Sequence, residues 1–120
     1  MPLDPKALDE LRALDPDGSQ GLVAQVIESY MGDAVVILDK LKAAIGTADI
    51  PAMTREAHSL KSTSRSVGAV ELSNLAASIE LSGRAGKTEG CAALLDTLIK
   101  EYHAVEPDLR AACKPAPGPA

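Results

Sequence analysis

The fold is decided by residues 19–45, which read SQGLVAQVIESYMGDAVVILDKLKAAI. Their apolar residues recur at steps of mostly three and four, the period of an amphipathic α-helix. We expect Ser19 or Asp17 to cap the start of this helix and Gly46 to supply a left-handed stop. A helix of this length extends for roughly 40 Å, the size of a bundle member. Its predicted core stripe is Val23, Val26, Ile27, Tyr30, Ala34, Ile37, Leu38, Leu41 and Ile45.

Four more segments show helical spacing, and no stretch alternates in the manner of a β-strand. They are residues 51–67, 70–82, 88–110 and a short opening segment, Pro5–Leu14. We expect Pro107 to end or bend the last helix near its final turn. Outside 19–45 and 51–67, the predicted core comprises Leu8, Leu11, Leu72, Leu75, Ala76, Ile79, Ala92, Leu95, Leu98, Tyr102, Val105 and Leu109.

The connections between the long segments are short, and short connections force neighbouring helices to run in opposite directions. The sequence therefore predicts an all-α fold, an antiparallel (up-down) four-helix bundle with a short additional N-terminal helix. We expect residues 1–113 to form this bundle and residues 114–120, which read KPAPGPA, to be a disordered Pro-rich tail.

The composition excludes several classes of protein. The chain has 120 residues and a net charge of −5, with 46% hydrophobic residues but no Phe, no Trp and two Tyr. A single domain of this size can bury an aliphatic core, whereas base stacking and phosphate-backbone binding are disfavoured. The longest apolar run, residues 34–38, is far too short to span a bilayer, and two cysteines make no disulfide framework. We expect a cytoplasmic monomer that binds neither nucleic acid nor membrane.

The segment 51–67 differs from the others because it carries a histidine on its polar face. At about 100° per residue, His58 lies about 140° from the centre of the apolar stripe, so its ring is predicted to face solvent. Asp49 is the expected N-cap, and Pro51 suits the first turn. The stripe itself consists of Met53, Ala57, Leu60, Ser64 and Val67.

Three cations accompany this histidine on the same helix. Arg55, Lys61 and Arg65 are opposed by Glu56 alone, which gives a local excess of positive charge in an acidic chain. In one interpretation the histidine is an ordinary solvated residue and the cations only keep the helix soluble. In the other, the imidazole is a nucleophile whose product is an anion, and cations one or two turns away stabilise that product.

The residues around His58 resemble the motif of the histidine-containing phosphotransfer (HPt) domain. That motif reads roughly A-H-x-L-K-G and continues with a small residue, G-A, a leucine pair and a glutamate. Residues 22–41 resemble the family's long second helix, so the resemblance covers nearly the whole chain apart from the tail. Ser62 stands where the family commonly has Gly. The matching positions are Ala57-His58-Ser59-Leu60-Lys61-Ser62, Ser64, Gly68-Ala69, Leu72, Leu75, Glu80 and Ser82-Gly83-Arg84.

The resemblance implies that His58 is a phosphoacceptor. It would accept a phosphoryl group from an aspartyl phosphate on a receiver domain, in a response regulator or hybrid histidine kinase, and pass it to another receiver. Lys61 would support the phosphoryl group electrostatically. The receiver would bring Mg²⁺, so we expect no cofactor and no metal on this chain, and a phosphocarrier without ATP-dependent kinase activity. The residues expected to form the phosphate face and the docking surface are Arg55, Ser62, Arg65 and Val36.

Two alternatives remain open at this point. The chain could be the HPt module of a larger hybrid sensor or chemotaxis-type kinase, or a helical adaptor that uses no phosphochemistry.

His103 is expected to be a surface residue and Cys91 a small core residue, and no Glu-x-x-His pair suggests a bundle metal site. Val36 and Leu81 project away from the core stripes, where they are candidates for partner docking.

Overall fold

The computed structural model describes residues 3–113, which form helices and turns and contain no β-strand. The predicted tail, residues 114–120, lies outside the described residues. Within the described part, no helix is long and apolar enough to cross a membrane. The helices are α1 (Pro5–Ala13), α2 (Leu22–Gly46), α3 (Ile50–Ser66), α4 (Val70–Arg84) and α5 (Cys91–Ala112).

Helices α2 to α5 form a closed ring in which each helix packs against two others, and α1 packs on α2. The connections 47–49, 67–69 and 85–90 are short, so consecutive helices run in opposite directions. The predicted antiparallel four-helix bundle with an added N-terminal helix is therefore confirmed.

The core is aliphatic, as the composition predicts, and it is closed by polar contacts at two tyrosines. The predicted stripe of α3 is buried along its whole length, from Met53 to Val67. The hydroxyls of Tyr30 and Ser64 are 2.8 Å apart inside the bundle, and burial raises the pKa of Tyr30 to about 12. The Tyr102 hydroxyl donates to the carbonyl of Met31 at 3.4 Å. Both tyrosines thus satisfy their polar ends while their rings fill the core.

The ends of α2 differ from the prediction. The helix begins at Leu22, and neither Ser19 nor Asp17 caps it. Instead, the nearly buried carboxylate of Asp15 accepts hydrogen bonds from the backbone N–H groups of residues 20 and 22, both at 3.1 Å. At the other end Gly46 is still helical, and the left-handed residue is Ala48, with φ 54°. The loop that joins α1 to α2 thus supplies the cap from seven residues away, which local spacing does not reveal.

Helix α5 also departs from the prediction at both ends. It starts at Cys91 rather than at residue 88, and it continues through Pro107 to Ala112, so Pro107 does not end it. The alternative, a bend at Pro107, stays a prediction. Pro107 is on the exposed side of the helix, where the carbonyl that loses its hydrogen-bond donor can turn towards water. Ala92, predicted to be in the core, is exposed, whereas its neighbour Cys91 is fully buried.

Close contact between α3 and α4 fixes how these two helices align. Gly83 lies against α3 so tightly that a Cβ atom there would overlap the Thr54 hydroxyl, which is why this position needs the smallest residue. Nearer the other end of α4, the Ser73 hydroxyl donates to the carbonyl of Lys61 at 2.9 Å. These two contacts set the register, in which the last turn of α4 lies beside the first turns of α3. Helix α4 ends at Arg84, two residues later than predicted.

Candidate functional site

His58 lies in the middle of α3 and faces solvent, as predicted. Its side chain is 59% exposed, while its neighbour Ala57 is fully buried in the core. The helix that carries it begins as expected, because Asp49 caps it by accepting from the N–H of Ala52 at 3.2 Å and Pro51 occupies its first turn. The imidazole is therefore presented on a rigid helix rather than on a loop.

A carboxylate from the neighbouring helix holds one nitrogen of this ring. Nδ1 of His58 is 2.7 Å from Oε2 of Glu80, and the Glu80 side chain is only 5% exposed. The same oxygen accepts from Nη2 of Arg84 at 2.9 Å, and Oε1 accepts from Nζ of Lys61 at 2.5 Å. Glu80 thus joins the histidine and two cations in one cluster at the surface of the α3–α4 pair.

The cations keep Glu80 ionised. The hydrogen bond from Lys61, together with those from Arg84 and His58, overcomes the opposing effect of desolvation and lowers the pKa of Glu80 to about 2. An ionised carboxylate only accepts hydrogen bonds, so Nδ1 of His58 must be the donor. In the neutral ring the lone pair then lies on Nε2, and the exposed ring leaves it open to a reacting group.

The remaining predicted site residues lie on two sides of the histidine. Arg55, 3.7 Å from the carboxylate of Glu56, shares an open concavity with His58 and Arg84. A second concavity is lined by His58, Lys61, Ser62, Arg65 and Ser66, and by Ala7 and Glu10 of α1.

Lys61 requires a correction. The sequence places Lys61 among the cations of the polar side of α3, but its ammonium is not free: it binds the nearly buried carboxylate of Glu80, and the Lys61 side chain is only 31% exposed. The difference arises because the partner belongs to another helix, and the phase of α3 alone cannot show it.

Val36 and Leu81, the candidates for docking, and His103, predicted to lie outside the site, are all exposed, as the sequence predicts. Val36 is 51% exposed on α2 and Leu81 is 70% exposed on α4, and partner docking at both stays a prediction. His103 is exposed and stacks edge-on with the ring of Tyr102. Within residues 3–113, no three His, Cys, Asp or Glu side chains come together as metal ligands.

The helix-by-helix analysis misses two residues of this cluster: the resemblance includes Glu80 and Arg84 among the matching positions but gives neither of them a role. A signal for Glu80 does exist in the sequence. It follows Ile79 directly, next to the predicted core stripe of α4, where an acidic residue needs a cationic partner when it is buried. Arg84 lies four residues later, the spacing of a helical ion pair.

We expect Lys61→Met to lower the free energy of unfolding by about 1–2 kcal/mol, because a nearly buried carboxylate loses a charge-assisted hydrogen bond. Arg65→Met is the matched control: Arg65 is exposed on the same helix and makes no ion pair within the described residues, so its change should stay below about 0.5 kcal/mol. Urea unfolding of both variants checks this. Equal losses would show that the contact with Glu80 does not stabilise the fold.

The low pKa of Glu80 predicts a pH dependence of stability. The pKa of this carboxyl is ordinarily 4.5 and is about 2 in the folded chain. The stabilisation from Glu80 is therefore present above pH 4.5 and is lost as the pH falls towards 2. The loss attributable to this group is on the order of 2–3 kcal/mol. Unfolding measured between pH 6 and 2 on the natural chain and on Glu80→Gln isolates it, since the other carboxyl groups cancel in the difference. Parallel curves for the two proteins would contradict the assignment.

The bundle and the site together define an all-helical protein that presents the exposed imidazole of His58, which is oriented by a buried carboxylate and flanked by cations. Comparison with known proteins agrees with that class. Residues 25–108 match the family of the Hpt domain. The chain is similar to histidine-containing phosphotransfer protein 2 of Arabidopsis thaliana, with 32% identity over 104 residues. The matched region covers 84% of this chain and 67% of the Arabidopsis protein.

Solved structures give the same result. The chain is similar to histidine-containing phosphotransfer protein B of Pseudomonas aeruginosa, with a TM-score of 0.84, 26% identity and coverage of 93% and 94% of the two chains. For the phosphotransfer protein MtHPt2 of Medicago truncatula the TM-score is 0.79, with 26% identity and coverage of 92% and 76%. The chain belongs to the Hpt domain family, whose members carry out histidine phosphotransfer in two-component phosphorelays.

Proposed function

We propose that this chain is a phosphorelay intermediate in which His58 accepts a phosphoryl group from the aspartyl phosphate of one receiver domain and passes it to the aspartate of another. The observation that carries the proposal is the hydrogen bond between Nδ1 of His58 and the ionised Glu80. It selects the tautomer whose lone pair is on the exposed Nε2, which is the nucleophile that the reaction needs.

In the forward step the lone pair of Nε2 attacks phosphorus. The bond between phosphorus and the aspartyl oxygen breaks, and its electron pair leaves on the receiver's carboxylate. The ring keeps its proton on Nδ1 and becomes more positive as the P–N bond forms, and the Glu80 carboxylate at 2.7 Å stabilises that charge. The second transfer reverses these steps on another receiver.

The cations provide the electrostatic support. Lys61 and His58 bind the two oxygens of the same carboxylate, so the flexible ammonium starts close to the ring and can turn towards a phosphoryl group on it. When Lys61 turns towards the phosphoryl group, the ion pair with Arg84 still balances the charge of Glu80. We assign the exposed cations Arg55 and Arg65 to docking, since a receiver's reactive face is acidic around its aspartate. We assign Val36, which is exposed on α2, to docking as an apolar contact.

The site favours phosphotransfer over the adaptor alternative. A carboxylate that is 5% exposed and bound by a histidine, a lysine and an arginine is expensive to desolvate, and a scaffold gains nothing from it that apolar packing would not supply. The same arrangement serves a stand-alone carrier and the HPt module of a larger kinase equally well.

The test is phosphoryl transfer in a defined mixture. The chain is incubated with a panel of phosphorylated receiver domains, and the label acquired by the chain and by a second, unphosphorylated receiver is followed with time. We expect label to pass through the chain, and none to enter it from ATP and Mg²⁺ alone. Failure to accept label from any receiver of a cognate kinase pair would contradict the proposal.

A further inference from the structure

Helix α3 carries six hydroxyl side chains, and they divide into two groups. Four of them make hydrogen bonds inside the molecule, whereas Ser59 and Ser62 make none within residues 3–113. The bonded ones are Thr54 to the carbonyl of Ile50, Thr63 to that of Ser59, Ser66 to that of Ser62, and Ser64 with Tyr30.

Ser62 is exposed and makes no hydrogen bond to the backbone of its own helix. A serine in the middle of a helix commonly donates to the carbonyl four residues earlier, as Ser66 does in the next turn at 3.1 Å. For Ser62 that carbonyl would be the one of His58, and the bond is not made. The exposed hydroxyl is therefore free to donate to another group.

The position of Ser62 directs this hydroxyl towards the histidine. Residues four apart lie on the same face of a helix, and Cα–Cβ bonds tilt towards the N-terminus, so Ser62 leans back over the turn of His58. Both residues line the same concavity, together with Lys61 and Arg65. Ser59 is turned by about 100° from His58 around the axis and does not line it.

We propose that the Ser62 hydroxyl donates a hydrogen bond to the phosphoryl group carried by His58, beside the ammonium of Lys61. This deepens the proposed function and rests on it. The HPt motif commonly has Gly at this position, so the contact distinguishes this chain from the usual pattern. A hydrogen bond to a phosphoryl dianion is charge-assisted, and it stabilises the phosphorylated chain relative to the free one.

The experiment measures the lifetime of phosphohistidine without a partner protein. The chain and its variants are phosphorylated with phosphoramidate, and loss of the acid-labile phosphate is timed at pH 8. Ser62→Ala removes only the hydroxyl, Ser62→Gly also removes Cβ, and Ser62→Thr retains the donor. Ser59→Ala is the matched control, an equal change one residue from His58 but outside the concavity.

We expect Ser62→Ala and Ser62→Gly to hydrolyse about three- to tenfold faster than the natural chain, and Ser62→Thr and Ser59→Ala to remain within twofold of it. Equal lifetimes for Ser62→Ala and the natural chain would overturn the inference, as would an effect in Ser62→Gly alone, because Cβ rather than the hydroxyl would then be responsible. If the natural chain forms no phosphohistidine at all, the proposed function fails with it.

Discussion

Replacing His58 by Gln is expected to reduce phosphoryl uptake from receivers to background. Glutamine keeps a polar side chain of similar reach but has no nucleophilic nitrogen, so no covalent intermediate can form. Because His58 is 59% exposed, the helical circular dichroism and the unfolding midpoint should stay close to those of the natural chain. Gel or mass-spectrometric detection of the label, with loss in acid and retention in base, measures the effect.

His103→Gln is the matched control for this substitution, since it removes the other histidine of the chain, which is also exposed. It should take up label at the natural rate. Label that persists in His58→Gln, or that disappears in His103→Gln, would show that the acceptor has been assigned to the wrong residue.

The second large effect is expected for Glu80→Gln. The amide of glutamine can donate to Nδ1, which then accepts, and the proton of the neutral ring moves to Nε2, where it blocks the nucleophile. We expect the rate of phosphoryl uptake to fall by about 10- to 100-fold, by analogy with the loss of a group that orients a metal-binding histidine. Stopped-flow or rapid-quench transfer from one phosphorylated receiver measures it.

Glu106→Gln supplies the control for this change. Glu106 also pairs with an arginine four residues later, Arg110 at 3.8 Å, but it lies on α5 and has no contact with His58. Its transfer rate should match that of the natural chain. A Glu80→Gln protein that transfers as fast as Glu106→Gln would show that the carboxylate does not orient the ring.

The sequence predicts the helices and the exposed histidine because both follow from periodicity within one segment. The apolar stripe from Met53 to Val67 is buried, as its helical spacing predicts, and His58 faces solvent. What periodicity does not contain is the rotation and register of one helix against the next. Glu80 lies beside His58 because of how α4 packs on α3, with a close approach at Gly83, so the carboxylate at His58 and the environment of Lys61 emerge only in three dimensions.

The errors at the helix ends have a similar cause. The start of α2 is capped by Asp15, which lies outside the segment that the apolar spacing defines. Pro107 stays inside α5 because it lies on the exposed side of the helix, where a missing backbone hydrogen bond is tolerated. Which side of α5 is exposed depends on how the helix packs in the bundle. Local propensity predicted the type of each element, whereas tertiary contacts decided where it ends.

The most direct measurement identifies the phosphorylated atom. The chain, labelled with ¹⁵N in its histidines, is phosphorylated with phosphoramidate, and ¹⁵N–³¹P coupling is recorded by NMR. We expect coupling at Nε2 of His58, with the proton on Nδ1 facing Glu80. Coupling at Nδ1, at either nitrogen of His103, or at no histidine nitrogen would contradict an acceptor whose nucleophilic nitrogen is set by the buried carboxylate.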